Sequence, residues 1–269
     1  MSNLQDFIRQ QRKDTPILLM THVVYGYPSI DESLALMRDL LSEGVELLEV
    51  QFPFTDPSAD GPSILHACHQ AVQQRPTLAR CLEDIALLGR DFPASRILLM
   101  SYLNPLYRYG LDRLPGDAAR AGIAGFIVPD LPLELADDFR NSCVASGIEP
   151  IWMLTPETPP ARMQQICAAA SGMLYCVSRR GVTGNDSSTD GHDKNQSSRK
   201  ATLPLEEYLA DIRTCTELPL ALGFGIRTGA QVRALHGQAD IAVIGSGLLD
   251  AFNQGGRNAV LELVQSIRH

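Results

Sequence analysis

A chain of 269 residues, 45% hydrophobic but only 6% aromatic, is long enough to bury one well-covered core. Its formal net charge of -8 and pI near 5.2 supply no basic field, which argues against nucleic acid or an anionic membrane surface as a partner. A small anion stays open, because helix N-termini and backbone amides bind phosphate without net positive charge. Six cysteines, Cys68, Cys81, Cys143, Cys167, Cys176 and Cys215, form no C-x-x-C pair and lie mostly in apolar surroundings, the usage of a reduced compartment. No apolar leader with a small-residue cleavage site precedes the first element, and no run of about 18 apolar residues occurs. A soluble, cytoplasmic protein is expected.

In chain order, Asn3 to Arg12 sets Leu4, Phe7 and Ile8 on one side, the period of an amphipathic opening helix. Strand and helix then alternate. Apolar runs predict strands at Ile17–Val24, Glu46–Phe52, Arg96–Tyr102, Gly125–Val128, Pro150–Leu154, Met173–Ser178, Leu218–Leu222 and Ile241–Ile244. Helical patterns fill the intervals at Asp31–Ser42, Ser63–Gln73, Thr77–Gly89, a stretch reaching Ala121, Leu133–Ser146, Pro160–Ala170, Leu205–Cys215, Gly229–Leu235 and Gly247–Arg268. Pro115 is tolerable only in a first helical turn.

Eight strand candidates, each followed by a helix, is the count of a (β/α)8 TIM barrel, here with an extra N-terminal helix and one domain over 1–269. The runs are apolar on both faces, as buried parallel strands are. A doubly wound open sheet often shows G-x-G-x-x-G after its first strand, and this chain has Tyr25-Gly26-Tyr27-Pro28 there. The barrel is preferred. It brings every strand C-terminus to one mouth.

Three features converge on that mouth. Glu49 sits in an apolar strand, where an ionised carboxylate costs several kcal/mol unless paired, so its pKa is expected to rise toward the range of a general acid or base. Asp56 and Asp60 follow in a loop broken by Pro53, Pro57, Gly61 and Pro62. An ion-paired strand-end Glu49 with turn-capping aspartates is the structural alternative. Gly223-Phe224-Gly225 and Gly245-Ser246-Gly247 end the seventh and eighth strands, where barrel enzymes hold phosphate on amides and a helix N-terminus. The segment 179–203 is polar and glycine- and serine-rich, and reads as a mobile lid over Arg179–Gly184 with a polar insertion beyond it.

These motifs together resemble the tryptophan synthase α subunit family over essentially the whole chain. The marks are Glu49 with Phe52-Pro53-Phe54-Thr55-Asp56-Pro57-Ser58-Ala59-Asp60-Gly61-Pro62, Tyr102-x-Asn104-Pro105 with Tyr109-Gly110, Pro129-Asp130-Leu131-Pro132, Val177-Ser178-x-x-Gly181-Val182-Thr183-Gly184, Gly223-Phe224-Gly225-Ile226 and Gly245-Ser246. The resemblance implies retro-aldol cleavage of indole-3-glycerol phosphate to indole and glyceraldehyde 3-phosphate, a lyase step of tryptophan biosynthesis. It implies no cofactor in this chain and a pyridoxal-phosphate β subunit as partner in an α2β2 heterotetramer. By the same resemblance Glu49 is the acid/base and Asp60 the group on the indole N–H, with Tyr175 and Thr183 beside them. Met100, Tyr102, Ile127, Pro129 and Met153 form the indole slot. Gly184, Gly223, Gly225, Gly245 and Ser246 take the phosphate, and Pro53, Asp56, Asn104 and Pro132 face the β subunit.

The chain departs from the family pattern in four places. Gln51 replaces a usual glycine and is expected either to reshape the pocket or to add a hydrogen bond near Glu49, Arg227 replaces a small polar residue and Tyr27 a usual aspartate, and the loop after Gly184 is longer. Two other readings therefore stand beside the first, a lyase that releases indole alone and a retuned barrel that binds a sugar phosphate without catalysis. The six histidines show no trusted ligand spacing, so no metal is expected; His22, near the end of the first strand, reads either as a pocket-lining residue or, by preference, as a satisfied core histidine.

Overall fold

The computed structural model describes residues 3–177, 204–223 and 225–268. Eight parallel strands close into a barrel in sequence order: β1 Leu18–Val24, β2 Leu47–Gln51, β3 Arg96–Met100, β4 Ile123–Ile127, β5 Glu149–Leu154, β6 Leu174–Val177, β7 Leu220–Gly223 and β8 Ile241–Ile244. Around them run α2 Ile30–Ser42, α3 Pro62–Gln73, α4 Leu78–Asp91, α5 Leu103–Tyr109, α6 Leu114–Arg120, α7 Asp137–Ala145, α8 Pro160–Ala169, α9 Leu205–Arg213, α10 Gly229–Ala234 and α11 Ser246–Arg268. Before them comes α1, Leu4–Gln11.

Alternation of strand side chains divides the apolar residues into two layers. Leu19, Leu48, Val50, Leu99 and Ile244 point outward and pack with the helices, joined by Leu40, Ile85, Cys143 and Val264. Leu18, Met20, Leu47, Leu98, Ile127, Ile151, Met173, Ala221, Ile241 and Val243 fill the interior. The opening helix closes one end of that interior, because Leu4, Phe7 and Ile8 are buried in the same inner cluster. The Arg96 guanidinium stacks 4.2 Å from the centre of the Phe7 ring, so the apolar end is covered rather than open.

Local chemistry explains most boundaries. Side-chain oxygens of Asn3, Ser29 and Thr77 accept the backbone N–H three residues on and start α1, α2 and α4. Thr228 and Gln231 form a reciprocal capping box for α10. The helical stretch expected to reach Ala121 is two helices: Gly110, at φ 113°, ends α5, and Pro115 sits in the first turn of α6. The helix expected over Leu133–Ser146 begins as a 3-10 turn at Leu133–Leu135 before α7. Gly255 and Gly256 kink the last helix.

Candidate active site at the barrel mouth

Strand β2 supplies the centre of the site. Leu47, Glu49 and Gln51 share its inward face by their spacing of two, and all are buried, Glu49 to 3% exposure. In the ladder Glu49 stands opposite His22 of β1 on one side and Leu98 of β3 on the other. The chain then leaves the sheet and turns back through two tight bonds, Ser58 N–H to the Asp56 carbonyl at 2.9 Å and Asp60 N–H to the Pro57 carbonyl at 3.0 Å. Asp60 is thereby held just before Gly61 and Pro62, where α3 begins.

Glu49 and Asp60 differ in how they are held. The Tyr175 hydroxyl donates to Glu49, while Glu49 Oε2 is buried with no hydrogen-bond partner. An orphaned carboxylate oxygen costs about 1–3 kcal/mol or more, which a substrate hydroxyl can recover. Burial drives the Glu49 pKa up to about 7, the neighbouring Asp60 charge pushes the same way, and His22 and the Tyr175 hydroxyl oppose it. Asp60 is richly bonded. Its Oδ2 accepts from Gln51 Nε2 at 2.7 Å and from the Tyr102 hydroxyl at 2.9 Å. Tyr102 in turn accepts the Ala59 N–H at 2.9 Å. Burial raises the Asp60 pKa too, against His22, Gln51 and Tyr102. Burial and the adjacent carboxylates raise both phenols, so Tyr102 and Tyr175 stay protonated donors.

The two carboxylates thus differ in their local chemistry: one is partly unsatisfied and titrates near neutrality, the other is anchored by donors. That pairing can move a proton at one place and stabilise positive charge at another.

The other candidates lie around them. Met100, Tyr102 and Ile127 are buried in the inner cluster, with Met153 and Tyr175 partly buried against it. Pro129, Ile151 and Met153 line one cavity of about 360 Å³. The ring of Phe54 lies 5.7 Å from that of Tyr102. An apolar wall therefore adjoins the carboxylates.

Gly223 ends β7, Gly225 follows at φ 62°, a left-handed conformation suited to glycine, and Gly245 leads directly to Ser246 at the start of α11. A Cβ at Gly223 would approach the Tyr175 ring at 3.3 Å, so a larger residue there presses on the carboxylate's donor. At Gly245 it would lie 3.7 Å from the His22 Cβ, which places the glycine turn next to β1. The opening turn of a helix presents amides without intrahelical partners, an anion cradle. Thr183 and Gly184, like the whole 179–203 segment, lie outside the described residues.

On the rim, Pro53 and Asn104 line a cavity of about 690 Å³ with Phe52, Phe54 and Arg108. Asp56 is exposed and accepts the Thr55 hydroxyl at 2.6 Å. Pro132 precedes the 3-10 turn that carries Leu135, 76% exposed. Arg227 pairs with Asp250 at 2.8 Å, so its charge is already partnered. No cluster of three or more His, Cys, Asp or Glu side chains suited to a metal occurs among the described residues.

Sequence reasoning leaves the roles of two residues open. His22, expected as a satisfied core histidine, has Nε2 2.6 Å from Gln51 Oε1 and leaves Nδ1 buried without a partner. Gln51 links it to Asp60. The signal available was the strand period: Gln51 lies two residues from Glu49, and so on the same inward face.

Comparison with known proteins identifies the family. The family model described as tryptophan synthase alpha chain matches residues 7–268. A tryptophan synthase alpha chain from Desulfotalea psychrophila is 39% identical over 265 residues, 98% of this chain and 99% of the relative. One from Chloroflexus aurantiacus is 40% identical over 250 residues, 93% and 90% of the two chains. Among solved structures, a Mycobacterium tuberculosis tryptophan synthase chain superposes with TM-score 0.87 at 27% identity, covering 99% of this chain and 97% of that one. The Legionella pneumophila alpha chain gives 0.83 at 26%, covering 100% and 96%. The closed barrel and the full-length matches agree, and the chain belongs to the tryptophan synthase alpha chain family.

Proposed function

We propose that this chain cleaves indole-3-glycerol phosphate to indole and glyceraldehyde 3-phosphate, with Glu49 as the acid/base. The observation that carries the reading is Glu49 itself, buried and half-satisfied, with a pKa near 7, within the same barrel mouth as the anchored Asp60. The ring lies in the slot of Met100, Tyr102, Ile127, Pro129 and Met153. The phosphate rests on Gly184, Gly225, Gly245 and Ser246, with Gly223 shaping the turn and Thr183 steadying Asp60.

The reaction needs one proton delivered to indole C3 and one removed from the hydroxyl on the adjacent glycerol carbon. Protonation at C3 makes the ring cationic, and the Asp60 carboxylate stabilises it by accepting the ring N–H. Because two donors occupy Asp60 Oδ2, Oδ1 is assigned that bond. Glu49, having given its proton to C3, takes the hydroxyl proton. The carbonyl of glyceraldehyde 3-phosphate forms as the C–C bond breaks, its electrons restore the aromatic ring, and Glu49 ends as it began.

Indole then passes to a β subunit carrying pyridoxal phosphate, in an α2β2 assembly docked on the rim of Pro53, Asp56, Asn104 and Pro132. The test is indole release from indole-3-glycerol phosphate by the purified chain, with and without an added tryptophan synthase β subunit. Slow release that rises strongly with the β subunit is expected. No release under either condition overturns the reading, and fast release unaffected by the β subunit overturns the coupling.

A further inference from the structure

A chain of four side chains runs across the mouth from β1 to Tyr102, between β3 and α5. His22 Nε2 meets Gln51 Oε1 at 2.6 Å, Gln51 Nε2 meets Asp60 Oδ2 at 2.7 Å, and the Tyr102 hydroxyl meets the same Oδ2 at 2.9 Å. Every member is at least nine-tenths buried. The orientation of the central amide follows from its neighbours. An amide oxygen turned toward the Asp60 carboxylate would set two acceptors against each other, so Gln51 presents Nε2 to Asp60 and Oε1 to His22. His22 must then donate from Nε2. The remaining Gln51 N–H points at Cys68 Sγ, 3.4 Å away on α3, so the amide has no idle polar atom.

We infer that Gln51, clamped by His22, is a positioning residue that fixes the Asp60 carboxylate for the indole N–H. The inference rests on the function proposed above, since it acts through Asp60. A carboxylate held only by Tyr102 can swing about that one bond. A second donor on the same oxygen, rooted in a barrel strand through the backbone of β2, fixes its plane. His22 contributes indirectly, because its N–H holds the amide oxygen and so restrains the Gln51 side chain from rotating away from Asp60.

Several groups set the charge that Asp60 feels. Glu49 faces it from β2, His22 from β1, Tyr102 from the end of β3, Tyr175 from β6 and Cys68 from α3. Gln51 is among the donors that hold the Asp60 pKa down, so its removal moves that pKa upward. A carboxylate that must be ionised to stabilise the ring then fails at a higher pH. The acid limb of kcat/KM shifts up.

The experiment compares wild type, Gln51→Ala, Gln51→Glu, His22→Phe, the Gln51→Ala/His22→Phe double variant and Asp60→Asn in indole release across pH, with 15N-histidine NMR of the free proteins. Loss of one charge-assisted hydrogen bond is expected to lower kcat in Gln51→Ala by roughly 10- to 100-fold, with little change in KM. Gln51→Glu, which puts a second carboxylate against Asp60, falls further. The double variant is expected to be no worse than Gln51→Ala, because His22 works through the amide. The His22 Nε2–H, identified by its absence from His22→Phe, is expected to exchange slowly with solvent in the wild type and to lose that protection in Gln51→Ala. Additive losses, an unmoved acid limb or wild-type kcat in Gln51→Ala overturn the inference while leaving the proposed function standing. Absence of cleavage by the wild type overturns both.

Discussion

The inner faces of the strands change character over a rise of one or two residue pairs. Toward the strand starts they carry Leu18, Met20, Leu47, Leu98, Ile241 and Val243, packed on one another and on Leu4, Phe7 and Ile8 of α1. One step further along the same faces stand His22, Glu49, Gln51, Tyr102, Tyr175 and Gly245. Burial reaches from one end to the other along β2, since Leu47 and Gln51 are each 0% exposed, while Tyr175 and Gly245 at the mouth are partly buried. The lower half uses burial to stabilise the fold, and the upper half uses the same burial to perturb ionisation. Stability and reactivity are therefore separated along single strands, as is usual for barrels with function at the C-terminal face.

Substitutions that cross this divide sharpen it. The largest effect is expected for Glu49→Gln, which should lower indole release by about 10²–10⁴-fold, the contribution of a positioned acid/base. Yet it should stabilise the fold at pH 8. Burial raises the Glu49 pKa from 4.5 to about 7, so the folded state holds the proton more tightly than the unfolded one. That contribution is fully present below pH 4.5 and is lost as pH rises through about 7. The amide does not titrate, so denaturant unfolding at pH 8 should find the variant more stable by about 1–3 kcal/mol, with the gap closing toward pH 5. Equal stability at both pH values would contradict the assignment.

Leu98→Ala, next to Glu49 in the ladder but in the apolar half, should do the reverse. A cavity in the inner core costs about 2–5 kcal/mol of stability, while kcat at a temperature where the variant is folded should be nearly unchanged. Tyr175→Phe should lower kcat about tenfold by removing a hydrogen bond to a charged group, and should move the Glu49 titration further up. Gly223→Ala should be mildest. Its methyl meets the Tyr175 ring at 3.3 Å, and a rise in KM of roughly two- to fivefold is expected from the small shift that contact demands.

The sequence exposes the two halves unequally. Eight apolar runs bounded by Gly, Pro and polar residues mark the strands and their order, because a buried parallel strand cannot hide its composition. Helix interruptions were harder. Gly110 and the pair Gly255-Gly256 break otherwise periodic stretches through backbone conformation, which periodicity does not report. Glu49 is legible as a charge inside an apolar run. Asp60 is legible as a loop carboxylate beside the strand end, but its role is legible only through resemblance, since its place depends on a turn at Pro57 and on Gln51 and Tyr102, 9 and 42 residues away. The bond from His22 to Gln51 spans 29 residues and exists only because β1 and β2 are ladder neighbours. Thr183 and Gly184 remain proposals on the motif alone.

The central claim is that burial at the mouth turns Glu49 into a group that exchanges its proton near neutral pH. Its most direct test is the titration of the Glu49 side-chain carboxyl by 13C NMR, with the resonance identified by its absence from Glu49→Gln. A midpoint near 7 is expected. A midpoint at the ordinary value of 4.5 would show that the mouth solvates or pairs this carboxylate, and the assignment of Glu49 as the acid/base would fall.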